Sequence, residues 1–504
     1  MADSWMAQRA AGVVLHPTSL PGPHGSGDFG PNAYFFMDWL QTAGQTLWQT
    51  LPLGPVGPGY SPYMGSSAFA GNPLLVAFEP MVQRGWLDAT SLRTTWTDER
   101  IDYLALSAWR LLKLREAFAG FEQRANAQER ADLAHWAQSQ HKWLDDYTLF
   151  MALDQAYSPA LWNGWPQALA QRDDAALADA RESHAQEIAF WRFVQWQFEL
   201  QWQAIRVYAH GKSIRLVGDL PIFVAHHSAD CWARPDLYQL DDLGQPNVVA
   251  GVPPDFFSDT GQRWGNPLYN WDAMARDGYR WWIERVRRQL HLADVVRIDH
   301  FRGFVDYWEI PANEPTAVKG RWQPGPGEAL FTALSEALGE LPIIAEDLGI
   351  ITHQVTVLRE RTGFPGMRVL QFAFSGDADN AFLPHNFEPN TVVYTGTHDN
   401  DTVPGWWVTA NAHERVFASH YLNSDGSEVH WAMVRAASFS VARLALCQFQ
   451  DVLGLDTEHR MNTPGTMGCW SWRFKWEWVG PEIAQQLAQI TAASGRVGFE
   501  RLKI

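Results

Sequence analysis

The chain has 504 residues, and 39 basic against 56 acidic side chains give it a formal net charge of −17. Nucleic acids and anionic membranes bind basic surfaces, so this charge argues against both as partners. Hydrophobic residues make up 46% of the chain and charged residues 19%, which excludes general disorder.

Eight short apolar segments alternate with helical or irregular sequence along the chain. In order they are AAGVVLHPTS (10–19), QTLWQTLPLGP (45–55), KSIRLVGDLPIFV (212–224), ADVVRID (293–299), LPIIAE (341–346), MRVLQFAF (367–374), TVVYTG (391–396) and LALCQFQDV (444–452). Short runs rich in Val and Ile are typical of parallel strands buried on both faces. Eight of them in alternation with helices predict an α/β fold, the (β/α)8 barrel.

The connections between these strands differ greatly in length. PNAYFFMDWLQTAG (31–44) predicts a helix, and residues 56–211 predict a mainly helical subdomain inserted after the second strand. Residues 225–270, rich in Pro, Gly, Asp and aromatics, predict a second insertion, and residues 272–291 predict a single helix. Both insertions are far longer than an ordinary βα connection. We therefore expect one catalytic barrel over residues 1–504 that carries two inserted subdomains.

Three acidic residues stand at the C-terminal ends of predicted strands: Asp299, Glu346 and Asp399. A single Asp after a strand is usually the N-cap of the next helix. However, the C-terminal ends of barrel strands form the active site, and a carboxylate buried without a role is costly. Arg297 alternates with Asp299 along its strand, so both side chains point the same way. Three carboxylates in these positions indicate carboxylate chemistry, with glycoside cleavage as the leading case.

Two weaker signals concern the ligand. GSGDFG (25–30) matches the dinucleotide motif GxGxxG, but residues 16–24 separate it from the first strand. The second predicted strand also ends in LPLGP, without the acidic residue that would hold a ribose. The 27 Trp residues favour a carbohydrate ligand, because sugar faces stack on aromatic rings. Many of them belong to the core, and WSWRFKWEW (470–478) predicts an accessory strand or an extended segment that packs by one face.

Cysteine usage and the N-terminus bear on the compartment. Cys231, Cys447 and Cys469 are far apart and form no CxxC pattern, which fits a reducing environment. The N-terminal sequence MADSWMAQRAAG lacks the apolar segment of a secretory signal. No apolar run approaches the ~20 residues of a membrane span. These features predict a cytoplasmic protein.

An ordered set of motifs covers nearly the whole chain. The motifs are GVVLHPTSLPG (12–22), SPYMGSSAFAGNP (61–73), VGDLPIFV (217–224), PPDFFSDTGQRWGNPLYNW (253–271), VRIDHFRGF (296–304), AEDLG (345–349), THDND (397–401) and MNTPGT (461–466). Through them the chain resembles the amylomaltases, the 4-α-glucanotransferases of glycoside hydrolase family 77. The resemblance implies a barrel with subdomains in its loops and no separate C-terminal β-domain. It also implies that α-1,4-glucan segments pass from donor to acceptor maltooligosaccharides or glucose.

The same motifs imply roles for individual residues. Asp299 would be the nucleophile, Glu346 the general acid/base and Asp399 the residue that stabilises the transition state. The implied substrate-binding residues are Ser61, Tyr63, Asp219, Trp264, Arg297, His398 and Asn462. Arg297 would favour the ionised form of Asp299, and the 225–270 insertion resembles an active-site lid that places Trp264 over the acceptor side. The resemblance implies no cofactor and no essential metal.

The mechanism expected on chemical grounds is a double displacement. Transfer that keeps the α-linkage needs two inversions, and therefore a covalent glycosyl–aspartate intermediate. Two other hypotheses stay open at this point. One is an α-1,4-glucan hydrolase related to the amylases, and the other is a noncatalytic glycan-binding protein.

Overall fold

The structure is a computed structural model that describes residues 6, 8–97, 99–254 and 258–496. Its strands are β1 (Ala10–Val14), β2 (Leu47–Gln49), β3 (Arg215–Leu220), β4 (Val248–Val252), β5 (Gln262–Pro267), β6 (Val295–Ile298), β7 (Asp306–Pro311), β8 (Arg321–Pro324), β9 (Ile343–Ala345), β10 (Gly366–Val369), β11 (Thr391–Tyr394) and β12 (Leu444–Gln448).

The α-helices up to the fourth barrel strand are α1 (Pro31–Thr42), α2 (Glu79–Gln83), α3 (Tyr103–Arg124), α4 (Ala127–Ser139), α5 (His141–Tyr157), α6 (Gln167–Ala170), α7 (Asp174–Ser183), α8 (Ala185–Gly211), α9 (Ala229–Ala233), α10 (Trp271–Arg276) and α11 (Arg280–Leu292). Those that follow are α12 (Glu328–Leu338), α13 (His353–Thr362), α14 (Val403–Thr409), α15 (Ala412–Leu422), α16 (Val429–Phe439), α17 (Phe449–Val452) and α18 (Pro481–Ala493). Within the described residues, no helix is both long and apolar enough to cross a membrane.

Eight parallel strands close into a barrel in the order β1–β12–β11–β10–β9–β6–β3–β2. Seven lie within the segments predicted as strands, and β10 begins one residue before its segment, so the predicted (β/α)8 barrel is confirmed. Val217 and Val295 are fully buried in the apolar interior of the barrel. Because side chains alternate along a strand, Asp219 and Arg297 continue the same inward faces toward the carboxyl ends. The register pairs these two residues across β3 and β6, which brings an acid and a base together.

Helices α2 to α8 occupy the connection between β2 and β3. The longest of them, α8, spans 27 residues and packs against α5, α1 and β3. Its buried face carries several large aromatics, including Phe190, Trp196 and Trp202. The aromatic-rich sequence of this segment is thus explained by burial between the barrel and the inserted helices.

A second sheet has the antiparallel order β5–β4–β7–β8. Strands β4 and β5 come from the predicted 225–270 insertion, whereas β7 and β8 follow Asp299 in the next connection. Strands β7 and β8 were not predicted from the sequence. Both are short, and β7 pairs with β4, which lies on the other side of β6 in the chain, so neither local pattern nor spacing reveals the sheet.

Two local predictions need correction. The single helix predicted over residues 272–291 is wrong, because the chain forms α10 and α11 with a break at Gly278 and Tyr279. Both residues have positive φ angles, 70° and 57°, which end one helix and redirect the chain into the next. In the segment 470–478, only residues 471–475 are extended, and Trp476–Trp478 form a 3-10 helix. Residues 471–474 are buried on both sides, since Arg473 is only 1% exposed and donates to the carbonyl of Gly22.

Candidate active site

Charged side chains converge at the carboxyl end of the barrel strands. Asp219 lies in β3 and Arg297 in β6, whereas Asp299 and Glu346 directly follow β6 and β9. Asp399 lies in the loop after β11. In a barrel of this type, this end carries the active site.

The two carboxyls that follow β6 and β9 are fixed by the backbone of neighbouring strands. The N–H of Asp299 donates to the carbonyl of Leu220 (3.0 Å), and the N–H of Glu346 donates to the carbonyl of Ile298 (3.1 Å). The strand hydrogen bonding therefore extends one residue beyond each named strand. As a result, Asp299 and Glu346 start from adjacent, rigid positions.

Arg297 links two of the carboxylates. Its Nη1 donates to both oxygens of Asp219 (2.7 and 2.8 Å), and its Nη2 donates to Oδ1 of Asp299 (2.8 Å). Burial on its own would lower the pKa of Arg297, but the carboxylates of Asp219 and Asp299 raise that pKa well above its ordinary value. The guanidinium is thus a permanent cation that orients the Asp299 carboxyl.

Glu346 has a different environment. Its Oε2 accepts the N–H of His300 (2.6 Å), and its Oε1 accepts the N–H of Leu348 (2.8 Å). Burial, followed by the charge of Asp299, raises the pKa of Glu346 to about 7, although Arg297 and the two amides oppose the rise. Glu346 therefore holds a proton at pH values where ordinary carboxyls have lost theirs.

Tyr63 and His398 form a polar wall beside Asp219. The Tyr63 hydroxyl donates to Oδ2 of Asp219 (2.7 Å), and its ring is nearly parallel to that of His398, with 5.0 Å between centroids. Burial raises the pKa of Tyr63 well above its usual value, so the hydroxyl stays a donor. The Ser61 hydroxyl accepts the N–H of Tyr63 (3.2 Å) and thereby fixes that residue. The ring of Trp470 lies within 5.8 Å of the rings of both Tyr63 and His398.

Asp399 is held from the other side by the segment around Asn462. The Asn462 side-chain amide donates to Oδ1 of Asp399 (2.5 Å), and Arg460 donates to the Asp399 carbonyl (2.5 Å). Nε2 of His398 lies 3.4 Å from the same Oδ1. The Asp399 side chain is 46% exposed, so this carboxylate faces the open cleft.

Trp264 is half-buried on β5, and its ring stands perpendicular to that of His300, with 5.0 Å between centroids. His300 directly follows Asp299, so Trp264 lies next to the acid pair. Burial lowers the pKa of His300 to about 4, which leaves this imidazole neutral. Residues 255–257 of the same motif lie outside the described residues.

Eight of the ten residues predicted for the site are therefore joined by direct contacts, whereas Glu346 and Trp264 contact His300, which adjoins Asp299. Three further residues of the site were not predicted from the sequence: His300, Arg460 and Trp470. His300 adjoins Asp299, and Trp470 belongs to the aromatic run 470–478, so each carried a local signal. Arg460 carried none, because its contact to Asp399 depends on two distant loops.

The glycine-rich segment 25–30 is held in place by a hydrogen bond from Arg110 of helix α3. Asp28 accepts the N–H of Gly30 (3.0 Å) and a hydrogen bond from the buried Arg110 (2.9 Å). Gly30 caps the start of α1. An acidic side chain thus occupies the place in front of α1 where a nucleotide-binding loop would receive a phosphate.

Known proteins provide an independent comparison. The 4-alpha-glucanotransferase of Thermus thermophilus is 49% identical, over 97% of this chain and 99% of that protein. The 4-alpha-glucanotransferase of Synechocystis is 44% identical, over 97% and 98%. A solved structure, the amylomaltase from Streptococcus agalactiae in complex with acarbose, is 37% identical, has a TM-score of 0.94, and is matched over 97% of this chain and all of that one.

Residues 15–478 match the sequence profile of glycoside hydrolase family 77, described as 4-alpha-glucanotransferase. The match covers most of the chain, including every residue of the site above. The protein therefore belongs to glycoside hydrolase family 77, the 4-α-glucanotransferases.

Proposed function

We propose that this enzyme moves α-1,4-glucan segments from donor to acceptor maltooligosaccharides or glucose through a covalent glycosyl intermediate on Asp299. The observation that carries this proposal is the contrast between two adjacent carboxyls. Asp299 is bound by the guanidinium of Arg297, whereas Glu346 is buried and its pKa is raised to about 7. A carboxyl oxygen held by a cation suits a nucleophile, and a carboxyl that keeps its proton near neutral pH suits an acid.

In the first step, an oxygen of Asp299 attacks the anomeric carbon of the donor glucan. The bond from that carbon to the bridging oxygen breaks, and Glu346 gives its proton to this oxygen. The products are a glycosyl ester on Asp299, an ionised Glu346 and a released glucan with a new 4-hydroxyl. Arg297 keeps its bond to Asp219 throughout and so remains oriented.

In the second step, Glu346 takes the proton from the 4-hydroxyl of an acceptor glucan. The acceptor oxygen attacks the anomeric carbon, and the Asp299 carboxylate leaves. Both steps pass through a sugar ring with partial positive charge, and we assign Asp399 to stabilise that charge. Asn462 supports this role, because its amide fixes one oxygen of the Asp399 carboxylate.

The remaining site residues are proposed to bind sugar. Asp219, Tyr63 and His398 offer hydrogen-bonding groups beside the nucleophile, and Ser61 keeps Tyr63 in place. We further propose that residues 56–211 and 225–270 are subdomains of one catalytic barrel, and that the second acts as a lid over the acceptor side. The support for the lid is Trp264, whose half-exposed ring lies against His300.

We also propose that the enzyme acts in the cytoplasm. Its three cysteines are free thiols, of which Cys231 and Cys447 are buried. Burial raises the pKa of both thiols, so they are protonated and unreactive. We therefore expect its substrates to be the maltooligosaccharides of this reducing compartment.

Incubation with maltotriose alone tests the proposed function. We expect glucose together with a ladder of longer maltooligosaccharides, while the number of reducing ends stays nearly constant, because transfer exchanges one α-1,4 bond for another. EDTA should leave the result unchanged, since every proposed step uses protein groups. A steady rise in reducing ends without products longer than maltotriose would instead indicate a hydrolase, and no change in the sugar would indicate a binding protein.

The Trp264→Ala variant tests the lid. If Trp264 stacks on the acceptor, its loss should increase the share of the intermediate that reacts with water several-fold. The measurement is the ratio of new reducing ends to transfer products at a fixed maltotriose concentration. Trp322→Ala is a suitable control, because Trp322 is a partly exposed aromatic on β8 of the same sheet. An unchanged ratio with a lowered melting temperature would assign Trp264 to the core.

A further inference from the structure

Asp451 is a fully buried carboxyl in α17, directly after the last barrel strand. Its Oδ2 accepts the hydroxyl of Thr395 (2.6 Å), and its Oδ1 accepts the backbone N–H of Val403 (2.6 Å). Burial raises the pKa of Asp451 to about 7, so this group costs free energy that the two hydrogen bonds only partly offset. The mechanism above gives Asp451 no role.

The two partners of Asp451 lie at the two ends of one loop. Thr395 directly follows β11, and Val403 is the first residue of α14. Between them, residues 396–402 carry His398 and Asp399. A single carboxyl group therefore ties the start of this loop to its end.

Other contacts make the same loop rigid. The side-chain amides of Gln371 and Gln448 donate to the carbonyl of Asp401 (2.7 and 3.2 Å). A Cβ at Gly396 would lie 2.4 Å from the amide nitrogen of Gln448, so these amides pack directly against a glycine. The Asn400 side chain accepts both the N–H and the hydroxyl of Thr397 (2.8 and 2.9 Å). The loop is thus held by hydrogen bonds at several points between its two ends.

We propose that Asp451 is a positioning residue for the transfer reaction, which holds the loop 396–402 so that the Asp399 carboxylate meets the charge that develops on the sugar ring. This inference rests on the function proposed above. Asn462 fixes one oxygen of the Asp399 carboxylate, but the side chain faces the cleft and is 46% exposed, so its placement also depends on the backbone that carries it. A displacement of about 1 Å in such a group lowers a rate by about 100-fold.

The Asp451→Ala variant removes both ties. We expect kcat for maltotriose to fall about 100-fold while KM changes little. The reason is that ground-state binding does not depend on the position of the Asp399 carboxylate. Asp451→Asn is the conservative variant. Its amide oxygen can still accept from Val403, and the Thr395 hydroxyl can turn to accept from its nitrogen, so most of the lost kcat should return.

Asp294→Ala is the matched control. Asp294 is also a buried carboxylate that accepts a backbone N–H, from Leu216 (2.8 Å), but it precedes β6 at the opposite end of the barrel. This variant should lower the melting temperature and leave kcat unchanged. Should Asp451→Ala fail to fold, Thr395→Val replaces it, since valine keeps the volume and removes one tie. We then expect kcat to fall about tenfold at unchanged KM.

Two outcomes would overturn this inference: a folded Asp451→Ala or Thr395→Val variant with wild-type kcat, or one in which KM rises as much as kcat falls. Failure of the proposed function gives a different pattern, because the wild-type enzyme itself would then make no ladder from maltotriose. The two failures are therefore distinguishable in one set of assays.

Discussion

The Asp299→Asn variant is expected to fold and to lose transfer activity by about 10⁴-fold or more. An uncharged amide cannot form the glycosyl ester, and no neighbouring carboxylate occupies its position. The fold should survive, because Arg297 keeps both of its hydrogen bonds to Asp219. The measurement is the initial rate of glucose release from maltotriose, with the melting temperature as the check on folding.

Asp146→Asn is the control for this substitution. Asp146 also accepts a hydrogen bond from an arginine, Arg172 (2.6 Å), but it lies in α5, in the helical connection after β2. It should retain wild-type transfer. A folded Asp299→Asn variant with a rate within tenfold of the wild-type rate would remove Asp299 from its assigned role.

Glu346→Gln is expected to lower the rate by 10²- to 10⁴-fold, the usual contribution of general acid–base catalysis. In the wild-type enzyme, the rate should fall as pH rises through about 7, because Glu346 then loses the proton that the first step needs. The variant should lack this decline. The measurement is the pH profile of kcat/KM for both proteins, and a basic limb that persists near pH 7 in Glu346→Gln would show that another group controls it.

The same pKa shift has a consequence for stability. The folded pKa of Glu346, about 7, lies above the ordinary value of 4.5. The folded protein therefore binds this proton more tightly than the unfolded chain does. The stabilisation is present below pH 4.5 and is lost as pH rises through 7. Over that interval, Glu346→Gln should show a smaller fall in melting temperature than the wild-type enzyme.

The barrel could be predicted because its strands leave a local signal. Each is a short apolar run, and the acids that end three of these runs interrupt an otherwise buried pattern. The second sheet could not be predicted, because β4 pairs with β7, and two helices and a barrel strand lie between them in the chain. The tie between Asp451 and the loop 396–402 was hidden for the same reason. It joins Thr395 to a residue 56 positions away.

The roles of the site residues were predicted in two ways. The sequence pattern predicts that Asp299, Glu346 and Asp399 stand at the ends of strands. The same pattern places Arg297 beside Asp299. The roles of Ser61, Tyr63, Asp219, His398 and Asn462 rested on resemblance alone. Their contacts to one another depend on loops that meet only in three dimensions, so no spacing rule could supply them. The raised pKa of Glu346 likewise depends on burial, which the sequence does not display.

The most direct test of the account is to trap the covalent intermediate. In the Glu346→Gln variant, an α-maltotriosyl fluoride can still react, because fluoride leaves without a proton, whereas the second step lacks its base. The intermediate should accumulate. Mass spectrometry of the intact protein and of its peptides should then find one maltotriosyl group, on the peptide that contains Asp299. A maltotriosyl group attached to any other residue, or release of maltotriose without an adduct, would contradict the proposed mechanism.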